Sequence, residues 1–150
     1  MITRKAEYAI AALVELARQE KGSKTTTAAI AREQNIPGNL VVQLMGILRQ
    51  AGWITSSRGP AGGVELSRSP EDITLRDVIE LIDGPVTITR CLMENKPCQN
   101  KEECPLRQVW SEAQEKMLSV LEQVTIKQLA ERFNAVSKQE PGAVQSQSLN

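Results

Sequence analysis

The feature that most constrains this 150-residue chain is a pair of helical periodicities broken by one tight turn and followed at once by a glycine-rich hairpin. Thr26 or Thr27 can N-cap a short helix over Ala28–Gln34, because a threonine hydroxyl satisfies an otherwise free first-turn N–H. Asn35-Ile36-Pro37-Gly38-Asn39 supplies the turn. A second helix is expected from about Asn39 to Ala51, with Leu40, Val41, Leu44, Ile47 and Leu48 on its buried side and Gly52 as its stop. Trp53-Ile54-Thr55-Ser56-Ser57 and Val64-Glu65-Leu66-Ser67 then read as strands on either side of Arg58-Gly59-Pro60-Ala61-Gly62-Gly63. Upstream, Tyr8, Ile10, Ala12, Leu13, Leu16 and Ala17 recur at three- and four-residue spacing between Thr3 and about Gln19, predicting an amphipathic helix ahead of the other two. The pattern is a winged helix-turn-helix.

Beyond the wing, Ser69-Pro70-Glu71-Asp72 is expected as a linker turn, and Thr74 caps a helix over Leu75–Ile82 that stops at Asp83-Gly84-Pro85. A long helix runs from Pro105 to about Gln123, its apolar residues Leu106, Trp110, Ala113, Met117, Val120 and Val124 alternating at four- and three-residue steps. That is a coiled-coil seam, and it predicts pairing between two protomers. Thr125 and Gln128 form a capping-box pattern for a last helix, Ile126 to Phe133. The fold class is mainly α with a small β-hairpin. Its expected parts are a winged helix-turn-helix domain (1–68), a linker and short helix (69–90), a cysteine loop (91–104), a dimerisation helix with a C-terminal helix (105–135) and a disordered tail (136–150). Only four aromatic residues are present, so the core must be built from Leu, Ile, Val and Ala.

Charge points to the partner of the first part. The formal net charge is zero, but residues 1–68 sum to +4 and residues 69–150 to −4, a split that suits a polyanion at one end only. In the second helix of the helix-turn-helix, Asn39 and Gln43 are amides suited to an adenine edge, and Arg49 lies toward the phosphate backbone. Arg58 at the wing tip, beside Gly59 and Pro60, is placed to enter a minor groove. With so few basic residues, binding to a double-stranded DNA operator calls for a homodimer. Enzyme chemistry is not expected: there is no histidine, no nucleophile with a recognisable partner and no phosphate loop. No leader or membrane span is read in the sequence, which predicts a cytoplasmic protein whose cysteines stay reduced.

All three cysteines cluster as Cys91-x6-Cys98-x5-Cys104, with Pro97 and Pro105 stiffening the loop. Three thiolates so close can surround an iron–sulfur cluster, and zinc would accept them as well. The absence of a Cys-x2-Cys pair favours the cluster.

Together with Thr3-Arg4-Lys5-Ala6-Glu7-Tyr8-Ala9, the run Leu48-Arg49-Gln50-Ala51-Gly52-Trp53-Ile54 and the wing, this loop resembles the IscR family of winged-helix iron–sulfur regulators, which also includes the nitric-oxide sensor NsrR. The resemblance spans residues 1 to about 135. It implies a homodimeric transcription repressor that binds a [2Fe-2S] cluster through Cys91, Cys98 and Cys104 and controls cluster-assembly genes. A nitric-oxide-sensing repressor, a zinc-stabilised regulator and a cluster carrier without DNA binding are the alternatives. Two departures matter. The IscR pattern places a histidine ligand three residues after the last cysteine, where this chain has Arg107, a permanently protonated group that cannot coordinate. Related sensors use an acid just before the aromatic of the first helix, which here is Glu7 before Tyr8, contributed across the dimer; Glu94, Glu102, Glu103 or a water are the other candidates. The second departure is Val42, where IscR recognition helices often carry a glutamate, so that operator choice here is expected to depend on dimer geometry instead.

Overall fold

The computed structural model describes residues 1–93 and 104–138. Thr3 starts the first helix, α1 (Arg4–Arg18), by accepting the Ala6 N–H on its hydroxyl at 3.3 Å. Along α1 the buried stripe is Ala6, Ala9, Ala12, Leu13, Val14 and Leu16, and the alanines let neighbouring helices approach closely. Tyr8, Ile10 and Ala17, expected within that stripe, are half-buried at its margins.

Thr26, rather than Thr27, caps α2 (Thr27–Glu33), taking the Ala29 N–H at 3.0 Å. The turn leads into α3 (Gly38–Gln50). Its buried residues are Val41, Leu44, Met45 and Leu48, and the expected Leu40 and Ile47 are only half-buried. The stripe follows i, i+3, i+4, i+7, which brings Met45 inward and turns Ile47 aside. Gly52 ends the helix with φ +75°, its N–H reaching the Arg49 carbonyl while the Trp53 N–H reaches that of Leu48. This pairing satisfies the terminal carbonyls as a Schellman motif does.

The wing is β1 (Ile54–Ser57) antiparallel to β2 (Gly63–Leu66), in the register Ile54 to Leu66. Trp53, expected as the first strand residue, is instead buried in the core. Thr25 and Val64 exchange backbone hydrogen bonds at 3.2 and 2.7 Å, tying the loop before α2 to the wing as a partial third strand. Gly63 makes this possible, because a Cβ there would lie 2.8 Å from the Thr25 carbonyl oxygen.

After a 3₁₀ turn, Pro70–Asp72, α4 (Leu75–Asp83) opens with a capping box between Thr74 and Asp77. A second 3₁₀ turn, Arg90–Leu92, precedes the segment 94–103, and α5 (Pro105–Gln123) follows. The last helix, α6 (Ile126–Lys138), begins with the Thr125–Gln128 box read from the sequence. It runs past the expected end at Phe133, so residues 136–138 are helical rather than tail: no glycine or proline interrupts the run before Pro141. Residues 139–150 lie outside those described.

One apolar cluster holds these elements together. Leu13, Ile30, Leu44, Leu48, Ile73, Val78 and Ile126 are its largest fully buried side chains, each contributing about 1.5–3 kcal/mol on burial. Ile73, Val78, Ile126 and Ala130 come from beyond residue 68 and join the same cluster as the winged part. The helix α6 folds back along α1, while its start is zipped to that of α4 by the Leu75 N–H to the Val124 carbonyl and the Ile126 N–H to the Ile73 carbonyl, both 2.9 Å. By contrast, α5 rests on α4 through one face and leaves Leu106 (57 % exposed), Val109 (59 %), Trp110 (38 %) and Val120 (62 %) uncovered.

Candidate nucleic-acid interface and cysteine site

Asn39 and Gln43 are both exposed, on the side of α3 opposite its buried stripe. They lie one turn apart, and α3 contains no acidic residue to repel phosphate. Arg49 is exposed in the last turn and reaches the Ser56 hydroxyl at 3.4 Å, linking the helix to β1. Arg58, Gly59 and Pro60 are exposed at the hairpin tip. Gly59 takes φ +99°, and an added Cβ at Gly62 would collide with the Ser57 carbonyl, so the turn is too tight for larger residues. From the other side, Lys24 donates to the Ser57 hydroxyl at 2.9 Å and pairs with Glu65 at 3.7 Å, holding the wing's base.

Lys5 was not expected at this surface. It lines a shallow depression with Gln43, Gly46, Ile47, Arg49 and Gln50, which adds a cation beside the exposed face of α3. Its neighbours are more than 35 residues away in sequence, so no local pattern signals the contact.

Cys91 is half-buried in the 3₁₀ turn, and Cys104 is half-buried as the residue that precedes α5. Both are free thiols. Arg107 connects them: its backbone N–H donates to the Cys104 carbonyl at 3.1 Å, and its Nε–H reaches the Cys91 carbonyl at 3.4 Å. The Cys91 sulfur also lies 3.4 Å from the Thr89 hydroxyl, and the Ile88 N–H donates to the Gln114 side chain at 3.1 Å, fastening this turn to α5. Cys98 falls outside the described residues, as do Glu94, Glu102 and Glu103. Among the described residues no group of three or more potential metal ligands comes together.

Glu7 stands in the first turn of α1 with its side chain 57 % exposed and pairs with Arg4 at 3.6 Å. No hydrogen bond or ion pair among the described residues joins it to Cys91 or Cys104 of its own protomer. Thr3, one turn earlier, donates its N–H to Asp83 Oδ2 at 2.9 Å and its hydroxyl to Oδ1. The start of α1 is thereby attached to the end of α4, eight residues before Cys91.

A family model described as Rrf2, iron-dependent transcriptional regulator, matches residues 2–132. The chain belongs to the Rrf2 family. Within it, the chain is 31 % identical over 128 residues to the HTH-type transcriptional regulator IscR of Vibrio atlanticus, covering 85 % of this chain and 73 % of the relative. It is 30 % identical over 129 residues to the HTH-type transcriptional regulator CymR of Bacillus subtilis, covering 86 % and 88 %. The solved structure of that CymR, described as the global cysteine regulator, superposes with a TM-score of 0.72 at 28 % identity over 88 % of this chain and 97 % of the other. IscR of T. potens shares the fold, with a TM-score of 0.72 at 24 % identity over 95 % and 93 %. The chain is therefore a winged-helix, DNA-binding transcription regulator of the Rrf2 family and not an enzyme. IscR and CymR match it almost equally, so the resemblance to IscR extends to the family and to no single branch of it. No helix among the described residues is long and apolar enough to cross a membrane.

Proposed function

We propose that this Rrf2 protein is a cytoplasmic homodimeric repressor that senses iron–sulfur cluster status and controls cluster-assembly genes. In this reading a [2Fe-2S] cluster is held by Cys91, Cys98, Cys104 and Glu7 of the partner subunit. The observation that carries it is that the single residue Arg107 bonds to the backbone carbonyls of both Cys91 and Cys104, whose thiols are free and half-buried. Thiolates are the ligands that sulfide-bridged iron prefers, so the donor set fits. When bound, the cluster supplies a redox-sensitive cross-link whose presence depends on iron and sulfide supply.

The protein's own residues then have distinct tasks. Arg107, standing where the IscR pattern has a ligand, fixes the backbone on both sides of the loop. Asp83 clamps Thr3 and so holds the end of α1 that carries Glu7. The uncovered stripe Leu106, Val109, Trp110 and Val120 supports pairing of two α5 helices. Asn39, Gln43, Arg49 and the Arg58-Gly59-Pro60 tip meet the double-stranded operator, and dimer geometry sets the spacing of the two half-sites. Equal operator affinity with and without the cluster would sink this coupling.

The similarity to CymR favours a second reading, a thiol-responsive regulator without a cluster. Anaerobic purification with iron, acid-labile sulfide and zinc counted per protomer separates the two. About two irons and two sulfides support the cluster; four irons move the assignment to the nitric-oxide sensor; zinc or no metal after reconstitution leaves thiol chemistry. Glu7→Ala should then lower iron retention without unfolding the metal-free dimer, and unchanged iron content would reject Glu7 as the ligand.

A further inference from the structure

Val42 is 64 % exposed in α3, an apolar side chain left largely uncovered by the described residues. It lies between Asn39 and Gln43 along the helix, turned away from buried Val41, Leu44, Met45 and Leu48. One turn further along the same face is Gly46, where an added Cβ would meet no atom within 4 Å. The fold therefore does not require a glycine there, although glycine weakens a helix interior. A bare valine and a bare backbone, each unfavourable for the isolated protein, thus fall at i and i+4 on one face.

What covers this face is identified by its surroundings. Lys5 and Arg49 flank the depression that begins at Gln43 and Gly46, and α3 carries no acid, so the occupant is a polyanion. In the DNA major groove the one apolar group on a base-pair edge is the 5-methyl of thymine, while Asn and Gln pair with adenine N6 and N7. Valine can neither donate nor accept a hydrogen bond, and only the methyl complements it. We propose that Val42 is a specificity-determining residue that packs against a thymine 5-methyl group, with Gly46 leaving room for α3 to approach the bases. The inference rests on α3 being the reading helix of the proposed regulator. It makes the centre of each half-site A·T-rich, with the amides on adenine and Val42 on thymine.

Deoxyuridine tests it, because it keeps every hydrogen-bonding group of thymine and lacks only the methyl. Sites are first selected from randomised double-stranded DNA with the anaerobically purified chain, and each thymine of the recovered site is then replaced singly. Wild type should lose about fourfold in affinity at one thymine per half-site, the equivalent of one buried methyl. Val42→Ala, which removes little packing within the protein because most of the side chain is exposed, should bind the thymine and uracil sites equally. Gly46→Ala should raise the melting temperature while weakening binding. If no thymine methyl matters to wild type, or if its effect persists in Val42→Ala, the assignment falls and DNA binding stands. Recovery of no specific site overturns both. A Gly46→Ala protein that melts lower than wild type makes Gly46 structural and removes it from the interface.

Discussion

Replacing Gly63 by alanine tests whether the wing is held from behind by the loop before α2. Gly63 has φ +150°, and a side chain in such a sparsely populated backbone region costs about 1–3 kcal/mol. Its new Cβ would stand 2.8 Å from the Thr25 carbonyl oxygen and 3.0 Å from Lys24 Cβ. The first obstacle is backbone, so relief comes only if Thr25 withdraws. Withdrawal breaks two bonds, Val64 N–H to Thr25 O at 2.7 Å and Thr25 N–H to Val64 O at 3.2 Å, each worth about 1 kcal/mol net. Strain retained and bonds lost are partly alternative ways of accommodating the methyl, so the expected cost is about 2–4 kcal/mol, a large part of a domain's usual 5–15. In urea, with a slope of about 2 kcal/mol/M, the midpoint should fall by about 1–2 M. The amides of Thr25 and Val64 should lose protection from hydrogen exchange first, and operator affinity should fall because Arg58 no longer has a fixed base beneath it. An unchanged urea midpoint with Val64 still protected would refute the reasoning.

Other substitutions probe the remaining joints. Ile126→Ala, at the fully buried start of α6, should cost about 2–5 kcal/mol; a calorimetric loss below about 1 kcal/mol would mean that α6 does not seal the core. Trp110→Glu on the uncovered face of α5 should convert the proposed dimer to a folded monomer in sedimentation, and a persisting dimer would place the interface elsewhere. The hydrogen bond and ion pair with Lys127, 3.0 Å away, hold the Glu71 carboxyl below its ordinary value, and the same contact raises Lys127. The Glu71 contribution is present above its unfolded pKa and lost as pH falls through the depressed folded value, while that of Lys127 is lost as pH rises through its raised one. Both side chains are about half exposed, so the effect is small and screened by salt. Lys127→Gln should weaken the salt dependence of stability near neutral pH, where both groups are charged, and equal dependence in both proteins would contradict the pairing.

What was legible in the sequence is what acts over one helical turn. Thr26, Thr74 and the Thr125–Gln128 pair cap helices where their spacing predicts, and Gly52 stops α3, because caps depend on residues two to four positions away. The wing was legible for the same reason. Its attachment was not: Thr25 has no alternation around it that would mark a strand, and only the approach permitted by Gly63 makes it one. The return of α6 along α1 was equally hidden, since an amphipathic period tells which face is apolar but not which neighbour receives it.

The candidate site divides along the same line. Asn39, Gln43, Arg49 and Arg58 could be named because helix and turn dictate their exposure, whereas Lys5 reaches α3 only through tertiary packing. One long-range contact bears directly on the proposed coupling. Thr3 and Asp83 are eighty residues apart and carry no signal as partners, yet their bonds join the first turn of α1 to the end of α4. The segment leading to Cys91 and the helix packed against α3 thus meet at one exposed carboxylate. Any change at the cysteines that pulls on α4 has a direct mechanical route to α1, and through its packing to α3, the proposed reading helix. Asp83→Asn, which keeps the shape and weakens the charge-assisted bonds, should therefore reduce the difference in operator affinity between metal-loaded and metal-free protein more than it reduces either affinity. An unchanged difference would place the coupling in the proposed pairing of α5 helices instead.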